Sequence, residues 1–242
     1  MEAIKTKNLT KKYKNKTAVN NLNLTIHSGE IFALLGVNGA GKTTTIKMLS
    51  CLTPPTTGDA ILLGKSINKN SQEIKEKINI SPQETAVALN LTVKENLELI
   101  TKLYNSSKKE SQEKTKDKIQ EFNLKEVENN KAKTLSGGMQ RRLSIAMALI
   151  SNPEILFLDE PTLGLDVLAR RDLWKLIKEI KGKTTIILTT HYMEEAEELS
   201  DRVGIMENGK IKDIGTSEEL IQKTNSKNFE DAFVKIATGD NL

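Results

Sequence analysis

Gly36-Val37-Asn38-Gly39-Ala40-Gly41-Lys42-Thr43 decides how this chain folds, because the octapeptide fits the pattern G-x-x-x-x-G-K-[ST] at every specified position. It follows the continuously apolar stretch Ile31–Leu35, which is bounded by glycines and is typical of a strand buried on both faces of a sheet. It precedes an apolar helical pattern that contains Ile46, Leu49 and Leu52. The sequence therefore predicts a buried strand, a glycine-rich loop and a helix, in that order.

This loop has the chemistry of a phosphate-binding site. Glycines permit backbone angles at which successive N–H groups turn inward, and those donors surround phosphate oxygens at the positive end of a helix. Lys42 adds a point charge for the outer phosphates, and the hydroxyl of Thr43 suits a Mg²⁺ ion. The competing interpretation is an ordinary glycine-rich turn. The complete match between a strand and a helix favours nucleotide binding with Mg²⁺.

Composition limits the class of protein. The chain has 242 residues, 37% of them hydrophobic, which is enough for one sizeable core with a small attached subdomain. Charges of both signs are interspersed and the net charge is only +4, so we expect no nucleic-acid partner. No apolar run approaches the roughly 18 residues of a membrane span, so a membrane role requires a partner. The N-terminus does not resemble a secretory signal and Cys51 is the only cysteine, which favours the cytoplasm.

Three further stretches predict strands. Residues 154–158 and 184–190 are strand candidates and each follows a helical pattern, which favours a parallel sheet with helices packed on it. Leu22, Leu24 and Ile26 alternate with polar neighbours, as in a strand with one solvent-exposed face. The predicted core is therefore of the α/β class.

Polar helical segments occupy residues 85–134. Thr92 and Glu95 are spaced as a capping box, and the highly charged stretch 108–121 is typical of a solvated helix face. We expect these segments to form a small helical subdomain inserted in the α/β core. Nearer the end of the chain, Asn208-Gly209 between two apolar stretches predicts a β-hairpin.

Two acids follow the apolar stretch Ile155-Leu156-Phe157-Leu158. In a parallel sheet beside the strand that leads into the glycine-rich loop, Asp159 would lie at the carboxyl end of its strand, where ligands bind. Asp159 suits Mg²⁺ coordination, and Glu160 suits accepting a proton from the water that attacks a γ-phosphate, or holding that water in line. The alternative is that both acids cap the next element, with Pro161 as its first residue.

A second helix start offers the same anion-binding chemistry. Leu135-Ser136-Gly137-Gly138-Met139-Gln140 precedes an amphipathic pattern, and Ser136 is in position to cap the helix. Free N–H groups at a positive helix end suit an anion. Taken alone, this stretch would be an ordinary helix cap.

The hexapeptide resembles the LSGGQ-type signature of ABC transporter ATPases, with Met139 inserted before Gln140, and the order of the other motifs agrees with that family. The resemblance implies that Tyr13 stacks on adenine and that Gln83 is the Q-loop glutamine. It also implies that Asp166 belongs to the D-loop and that His191 is the switch histidine contacting the γ-phosphate. Taken singly, each residue has an ordinary structural alternative. In the same order, these are a packed aromatic, a surface amide, the cap of a helix at 167–180, and a cap or core histidine.

The resemblance divides the expected site residues into three groups. The expected catalytic residues are Glu160, His191, Lys42 and Gln83. The expected ATP contacts are Tyr13, Gly36, Val37, Asn38, Gly39, Ala40, Gly41, Lys42, Thr43, Thr44, Ser136, Gly137, Gly138, Gln140 and Asp166. The expected Mg²⁺ ligands are Thr43, Gln83 and Asp159.

The resemblance also implies the fold. We expect an α/β protein with a P-loop NTPase core around a mainly parallel sheet, an N-terminal antiparallel β-subdomain and an inserted α-helical subdomain. Residues 1–242 would form a single nucleotide-binding domain, with the helical subdomain at about residues 85–150 and a short C-terminal helical tail at about 217–242.

The implied partners are a second nucleotide-binding subunit and a transmembrane permease subunit. In the family, the signature of one subunit closes over ATP held by the P-loop of another, so we expect a head-to-tail homodimer. The Gln83 loop and the helical subdomain would pass that motion to the permease. Residues 190–197 resemble the drug- and antibiotic-export branch, and Phe229-Glu230-Asp231-Ala232-Phe233 does so less completely. The implied location is the cytoplasmic face of the cell membrane, held there through the permease.

Three other functions compete with this one. Soluble ABC proteins of translation or DNA repair share these motifs without a membrane partner, but they usually carry two cassettes or long coiled coils. A P-loop kinase or GTPase would have no use for the signature at residues 135–140. A module that binds nucleotide without cleaving it is disfavoured by Glu160 and His191.

Overall fold

The computed structural model describes residues 1–239 and contains two sheets with helices around them. The strands are β1 (Glu2–Tyr13), β2 (Lys16–Leu22), β3 (Thr25–His27), β4 (Ile31–Leu35), β5 (Thr57–Leu62), β6 (Lys65–Ser66), β7 (Ile78–Ser81), β8 (Ile155–Asp159), β9 (Thr185–Thr190), β10 (Arg202–Glu207) and β11 (Lys210–Gly215). The α-helices are α1 (Lys42–Leu49), α2 (Ser71–Lys75), α3 (Val93–Leu103), α4 (Lys108–Glu121), α5 (Gly137–Leu149), α6 (Val167–Glu179), α7 (Met193–Leu199), α8 (Ser217–Thr224) and α9 (Phe229–Thr238).

The larger sheet has the order β11-β10-β4-β9-β8-β7, and all of its pairs are parallel except β10 with β11. Every residue of β4, β8 and β9 is buried, as expected for strands covered by helices on both faces. The three strands predicted for this core are confirmed within one residue at their ends. The register pairs Leu35 with Thr190 and Asp159 with Thr189, so these strands finish at one edge of the sheet.

The smaller sheet is antiparallel and is built around β1, which pairs with β2, β3 and β5. Leu22, Leu24 and Ile26 are buried as the alternation predicted, but the single strand expected there was wrong. The chain divides between β2 and β3 because Asn21 adopts a left-handed φ of 52° and the hydroxyl of Thr6 accepts the Leu24 N–H. The two strands then pair with opposite ends of β1.

Helices α3, α4 and α5 lie between β7 and β8, inside the predicted helical insertion. The capping box of Thr92 and Glu95 is confirmed at the start of α3. A second box, formed by Ser107 and Glu110, begins α4, which buries only one apolar side chain, Ile119. The expected α/β fold with an antiparallel β-subdomain and a helical insertion is therefore confirmed.

Helix α1 ends earlier than its apolar pattern predicted. Leu49 is fully buried, but Leu52 lies beyond the helix and is 58% exposed. Cys51 has a left-handed φ of 58°, and the N–H groups of Cys51 and Leu52 return to the carbonyls of Met48 and Lys47. This hydrogen-bonding pattern closes the helix as a Schellman motif, with Cys51 where glycine is usual.

The β10–β11 hairpin supports the glycine-rich loop. Asn208 and Gly209 have φ values of 49° and 77°, which confirms the predicted turn. The Gly209 N–H donates to the carbonyl of Ala40 at 2.9 Å, and the Gly209 carbonyl accepts the Asn20 N–H at 2.8 Å. The hairpin therefore joins the glycine-rich loop to the smaller sheet.

The C-terminal helices α8 and α9 pack on each other and on the β10–β11 hairpin. Of the predicted tail at about 217–242, residues 240–242 lie outside the described part of the chain. No helix within residues 1–239 is long and apolar enough to cross a membrane.

The helix end at Leu49 yields a paired stability prediction. Leu49→Ala should lower the free energy of unfolding by about 2–5 kcal/mol, because it leaves a cavity in the core. Leu52→Ala, the same change three residues away, should alter it by less than about 0.5 kcal/mol. Urea unfolding followed by the fluorescence of Trp174 measures both. Equal losses at the two positions would contradict the observed helix end.

Candidate functional site

A cavity of about 560 Å³ lies where the loop after β4 meets the ends of β7, β8 and β9. Its lining residues are Tyr13, Lys16, Ala18, Asn38, Gly39, Gly41, Lys42, Thr43, Thr44, Gln83, Glu160, Leu163 and His191. Ten of these thirteen were selected from the sequence; Lys16, Ala18 and Leu163 were not. The structure thus brings together residues that are far apart in the chain.

Close packing shapes the loop after β4. A Cβ added to Gly36 would lie 2.3 Å from the carbonyl oxygen of Met206, and one added to Gly41 would lie 2.4 Å from that of Ala18. Gly41 also has a φ of 110°, which side chains strongly disfavour. Only glycine fits at these two positions. The N–H groups of the first turn of α1, which have no intrahelical acceptor, remain at the cavity as anion donors.

Lys42 is a buried cation beside this loop. Its Nζ donates to the carbonyl of Gly36 at 2.7 Å and lies 3.7 Å from Oε1 of Glu160. Burial lowers the pKa of Lys42, and the nearby Glu160 carboxylate partly opposes that shift. A phosphate in the cavity would add negative charge beside Lys42 and so stabilise its desolvated ammonium.

Asp159 provides hard oxygen ligands beside the loop. Its Oδ1 accepts a hydrogen bond from Thr43 Oγ1 at 3.1 Å and another from Thr189 Oγ1 at 2.5 Å. The Thr43 hydroxyl and the Asp159 carboxylate are the donor chemistry that Mg²⁺ prefers. Residues 1–239 contain no group of three or more His, Cys, Asp and Glu side chains able to hold a metal. The residues therefore fit a Mg²⁺ that takes its remaining ligands from phosphate oxygens and water.

Glu160 is held between two basic groups at the end of β8. Its side chain is 11% exposed, with Oε1 facing Lys42 and Oε2 3.3 Å from Nδ1 of His191. That second contact is close but lacks hydrogen-bond geometry, and His191 Nδ1 is buried without a hydrogen-bond partner. The backbone of Glu160 has a left-handed φ of 46°, and its N–H donates to the carbonyl and the hydroxyl of Thr189, both at 3.1 Å. This strained backbone directs the carboxylate into the cavity.

Tyr13 is an aromatic residue that lines the cavity. It is 46% exposed, and Lys11 Nζ lies 5.1 Å from the centroid of its ring. An exposed aromatic face beside a phosphate-binding loop can stack on a planar base.

Not all of the expected site residues reach the cavity. Gly36, Ala40 and Asp159 are buried and do not line the cavity. Val37 is exposed but does not line it either. The five expected residues of the signature and D-loop are also absent from the lining. They are Ser136, Gly137, Gly138, Gln140 and Asp166.

Those five residues lie at the starts of α5 and α6. The hydroxyl of Ser136 accepts the Met139 N–H, which confirms it as the N-cap of α5. Asp166 accepts the N–H groups of Leu168 and Ala169, so the helix-cap alternative holds for its local structure. The Gln140 amide donates to the carbonyl of Ala132 at 3.0 Å. The start of α5 is therefore an exposed set of N–H donors separate from the cavity of its own chain.

Three buried polar residues near the site were missed from the sequence. Thr189 joins Asp159 to the Glu160 backbone, and Glu195 accepts the Trp174 Nε1–H at 3.1 Å. Arg141 is 4% exposed on α5 and donates to carbonyls of two separate segments, one around Glu160 and one after β7. For Arg141 the available signal was a charged residue at a core position of an apolar helix. Glu195 is one of four glutamates on α7, so nothing in the sequence singles it out. A buried threonine in an apolar strand gives no such signal.

Burial raises the pKa of Glu195, which is fully enclosed; the nearby hydroxyls of Thr190 and Thr162, the Trp174 Nε1–H and the charge of Arg141 oppose the shift. The carboxyl lies on α7, one turn after His191. It therefore ties the segment that carries His191 to α6 through Trp174.

Comparison with known proteins gives one family. The ABC transporter family profile matches residues 19–163. The linearmycin resistance ATP-binding protein LnrL of Bacillus subtilis is 39% identical over 221 residues, covering 91% of this chain and 71% of that protein. The daunorubicin/doxorubicin resistance ATP-binding protein DrrA of Streptomyces peucetius is 37% identical, over 90% of this chain and 66% of its own length. The human phospholipid-transporting ATPase ABCA3 is 42% identical over 224 residues, and the chain spans only 13% of its length.

Solved structures agree with the sequence relatives. The dimeric post-hydrolysis structure of the ATP-binding cassette MJ0796 bound to ADP and Pi superposes with a TM-score of 0.80 at 29% identity, over 88% of this chain and 98% of that one. The structure of an ATP-binding subunit of an ABC transporter gives a TM-score of 0.84 at 27% identity, over 97% and 99%. With the phosphate-binding loop and the carboxylates at one cavity, the chain belongs to the ABC transporter family as an ATP-binding and ATP-hydrolysing module.

Proposed function

We propose that this chain powers a membrane exporter by closing head to tail with a second copy over two ATP molecules. One observation carries the proposal. The two phosphate-binding features, the loop after β4 and the start of α5, are both open, yet the second does not line the cavity formed by the first. Two copies facing each other in opposite directions would let each helix start complete the other's site.

The nucleotide would lie along the cavity from base to γ-phosphate. Tyr13 would stack on adenine, and the backbone of residues 36–44 would surround the phosphates, with Lys42 at the outer ones. Thr43, Asp159 and Gln83 would hold Mg²⁺, which neutralises charge on the phosphate oxygens when bound. Gln83 lines the same cavity as Thr43, on an exposed segment after β7.

Hydrolysis would use the carboxylate between the two basic groups. An Oε atom of Glu160 would hold the attacking water in line and take its proton, while Lys42 and His191 would contact the γ-phosphate. A γ-phosphate entering the cavity would compete with Glu160 for Lys42, which frees the carboxylate for the water. The left-handed backbone at Glu160, fixed by Thr189, keeps that carboxylate at the cavity wall.

Exposed apolar side chains around the two features support the head-to-tail pairing. Val37 is exposed beside the phosphate-binding loop, Leu163 at the cavity, and Met139 at the start of α5. Leu168, on the first turn of α6, is 76% exposed. Ser136, Gly137, Gly138, Gln140 and Asp166 would lie at this interface, with the first three donating to the partner's γ-phosphate. Closure would cover the apolar side chains at the same time.

A second exposed apolar region supports a membrane partner. A groove of about 210 Å³ runs between the segment after β7 and helices α3 and α5, next to Gln83. Leu103 on its rim is 70% exposed and Tyr104 is 41% exposed. We propose that a segment of a transmembrane permease fits here and holds the chain at the cytoplasmic face of the membrane. The motion of closure would then be passed to the permease through Gln83 and the helical subdomain at about residues 85–150. Both belong to a single nucleotide-binding domain.

Export, rather than import, rests on the names of the relatives. LnrL and DrrA are both named for antibiotic resistance. No observation favours the alternative of a soluble ABC protein acting in translation or DNA repair.

Glu160→Gln should leave ATP binding unchanged and lower hydrolysis by about 10²- to 10⁴-fold, because the amide cannot accept the proton of the attacking water. Glu154→Gln is the matched control at the opposite end of β8, where the carboxylate pairs with Lys77 on the surface. It should hydrolyse ATP like the wild type. Phosphate release and equilibrium binding of a fluorescent ATP analogue measure the two effects. Comparable hydrolysis by the Glu160 variant and the wild type would contradict the assignment.

Mg-ATP should double the mass of the Glu160→Gln chain in light scattering, because hydrolysis no longer reopens the dimer. Ser136→Arg in that background should abolish the shift by filling the start of α5. Ser107→Arg removes the equivalent cap of α4 and is the matched control, which should still dimerise. If ATP binds but the mass stays monomeric at high protein concentration, closure between two copies is wrong.

Thr43→Ala should raise the Mg²⁺ concentration needed for hydrolysis by at least about tenfold, because it removes the hydroxyl proposed to contact the ion. Binding of ATP without Mg²⁺ provides the internal control and should change little. Titration of hydrolysis with Mg²⁺ at fixed ATP measures the effect. An unchanged Mg²⁺ dependence would exclude Thr43 as a ligand.

A further inference from the structure

Arg141 has an unusual set of partners for a buried guanidinium. Its Nε donates to the carbonyl of Pro161 at 2.7 Å, and its Nη2 donates to the carbonyl of Asp159 at 2.8 Å. Its Nη1 donates to the carbonyl of Pro82 and, at 3.3 Å, to that of Gln83. All four acceptors are backbone oxygens, and none belongs to α5, the helix that carries Arg141.

These acceptors flank the residues that we assign to hydrolysis. Asp159 and Pro161 immediately precede and follow Glu160, while Pro82 and Gln83 form the segment after β7. The planar guanidinium, with its donors in a fixed fork, therefore sets the spacing between the two segments. A shift of Arg141 would move the backbone on both sides of Glu160.

The charge of Arg141 is not used in an ion pair within the described chain. Asp159 and Glu195 act on it only at longer range, and burial lowers its pKa to about 10, so it stays protonated at neutral pH. A buried charge is costly unless its hydrogen bonds are well made. The carbonyl oxygens supply those bonds, which makes their positions depend on the guanidinium.

Helix α5 links the guanidinium of Arg141 to the exposed N–H donors at the start of the same helix. Ser136 caps α5 only five residues before Arg141, a rise of about 7.5 Å along the helix. From Leu143 to Leu149 every residue of α5 is buried, so this part of the helix is packed on all sides, and the continuous helix joins it to the exposed first turn. A displacement at the helix start would therefore reach Arg141.

We infer that Arg141 is a positioning residue. Through Arg141, helix α5, whose start completes the site of the partner chain, holds Glu160 and Gln83 of its own chain in place. The inference rests on the proposed head-to-tail dimer. In that dimer, Ser136 of one chain faces the nucleotide bound by the other chain, whereas Arg141 acts within its own chain. Each copy of α5 thus joins the two sites.

Mixed dimers separate these two roles of α5. A limiting amount of a chain that retains Glu160 is mixed with excess Glu160→Gln chain, so that all turnover comes from the site on the limiting chain's own loop. In the first arm the limiting chain carries Arg141→Lys, which keeps the charge but loses the fork. In the second arm the limiting chain is wild type, and the excess chain carries both Arg141→Lys and Glu160→Gln.

The expected result is asymmetric. Turnover in the first arm should fall about 10- to 100-fold with KM nearly unchanged, because Glu160 is misplaced while ATP binding is not. The second arm should stay within about twofold of the reference mixture of wild type and Glu160→Gln. A second arm that falls as far as the first would show that Arg141 only supports the signature helix and would overturn the inference, as would an unaffected first arm.

A second measurement works on a single chain and does not require dimerisation. Amide hydrogen exchange should accelerate at residues 83–85 and 160–165 in Arg141→Lys. Arg142→Lys is the matched control, because Arg142 is the next residue and donates to Asp172 at 2.8 Å on the surface. Equal exchange in both variants would overturn the inference. A reference mixture without any turnover would instead count against the proposed dimer, with the exchange result still deciding the role of Arg141.

Discussion

The loop after β4 has to pack closely on one side and leave its N–H groups free on the other. Gly36 and Gly41 touch the backbone oxygens of Met206 and Ala18, which belong to β10 and β2. Any side chain at either glycine would push the loop away from both sheets. The phosphate site therefore exists only where the parallel sheet, the β10–β11 hairpin and the antiparallel sheet meet. The rest of the cavity is arranged around that junction.

The parallel register then brings the carboxylates of Asp159 and Glu160 to the loop. Asp159 and Thr189 are paired across β8 and β9, so the threonine hydroxyl can bind the Asp159 carboxylate and accept the Glu160 N–H. These hydrogen bonds hold the backbone of Glu160 in its left-handed conformation. Arg141 also holds this turn, through the carbonyls of Asp159 and Pro161. Glu160 is thus held by neighbours from both β9 and α5.

Predictions that depended on local chemistry were confirmed most often. The strand-loop-helix order, the capping box at Thr92 and the hairpin at Asn208-Gly209 each follow from residues close together in sequence. The prediction failed at Leu52, because a Schellman closure with a non-glycine residue leaves no clear sequence signal. It also failed between Leu22 and Ile26, where pairing with opposite ends of β1 divides the strand.

The sequence by itself determined the glycine-rich loop, the two acids at the end of β8 and the second helix start, because backbone donors and carboxylates act through residue type and short spacing. Only the tertiary structure decided which of them meet. It placed Glu160 between Lys42 and His191, kept Ser136 away from that cavity, and buried Arg141 among carbonyls of distant segments. Such contacts depend on strand register and helix packing across the whole chain, which no short stretch of sequence encodes.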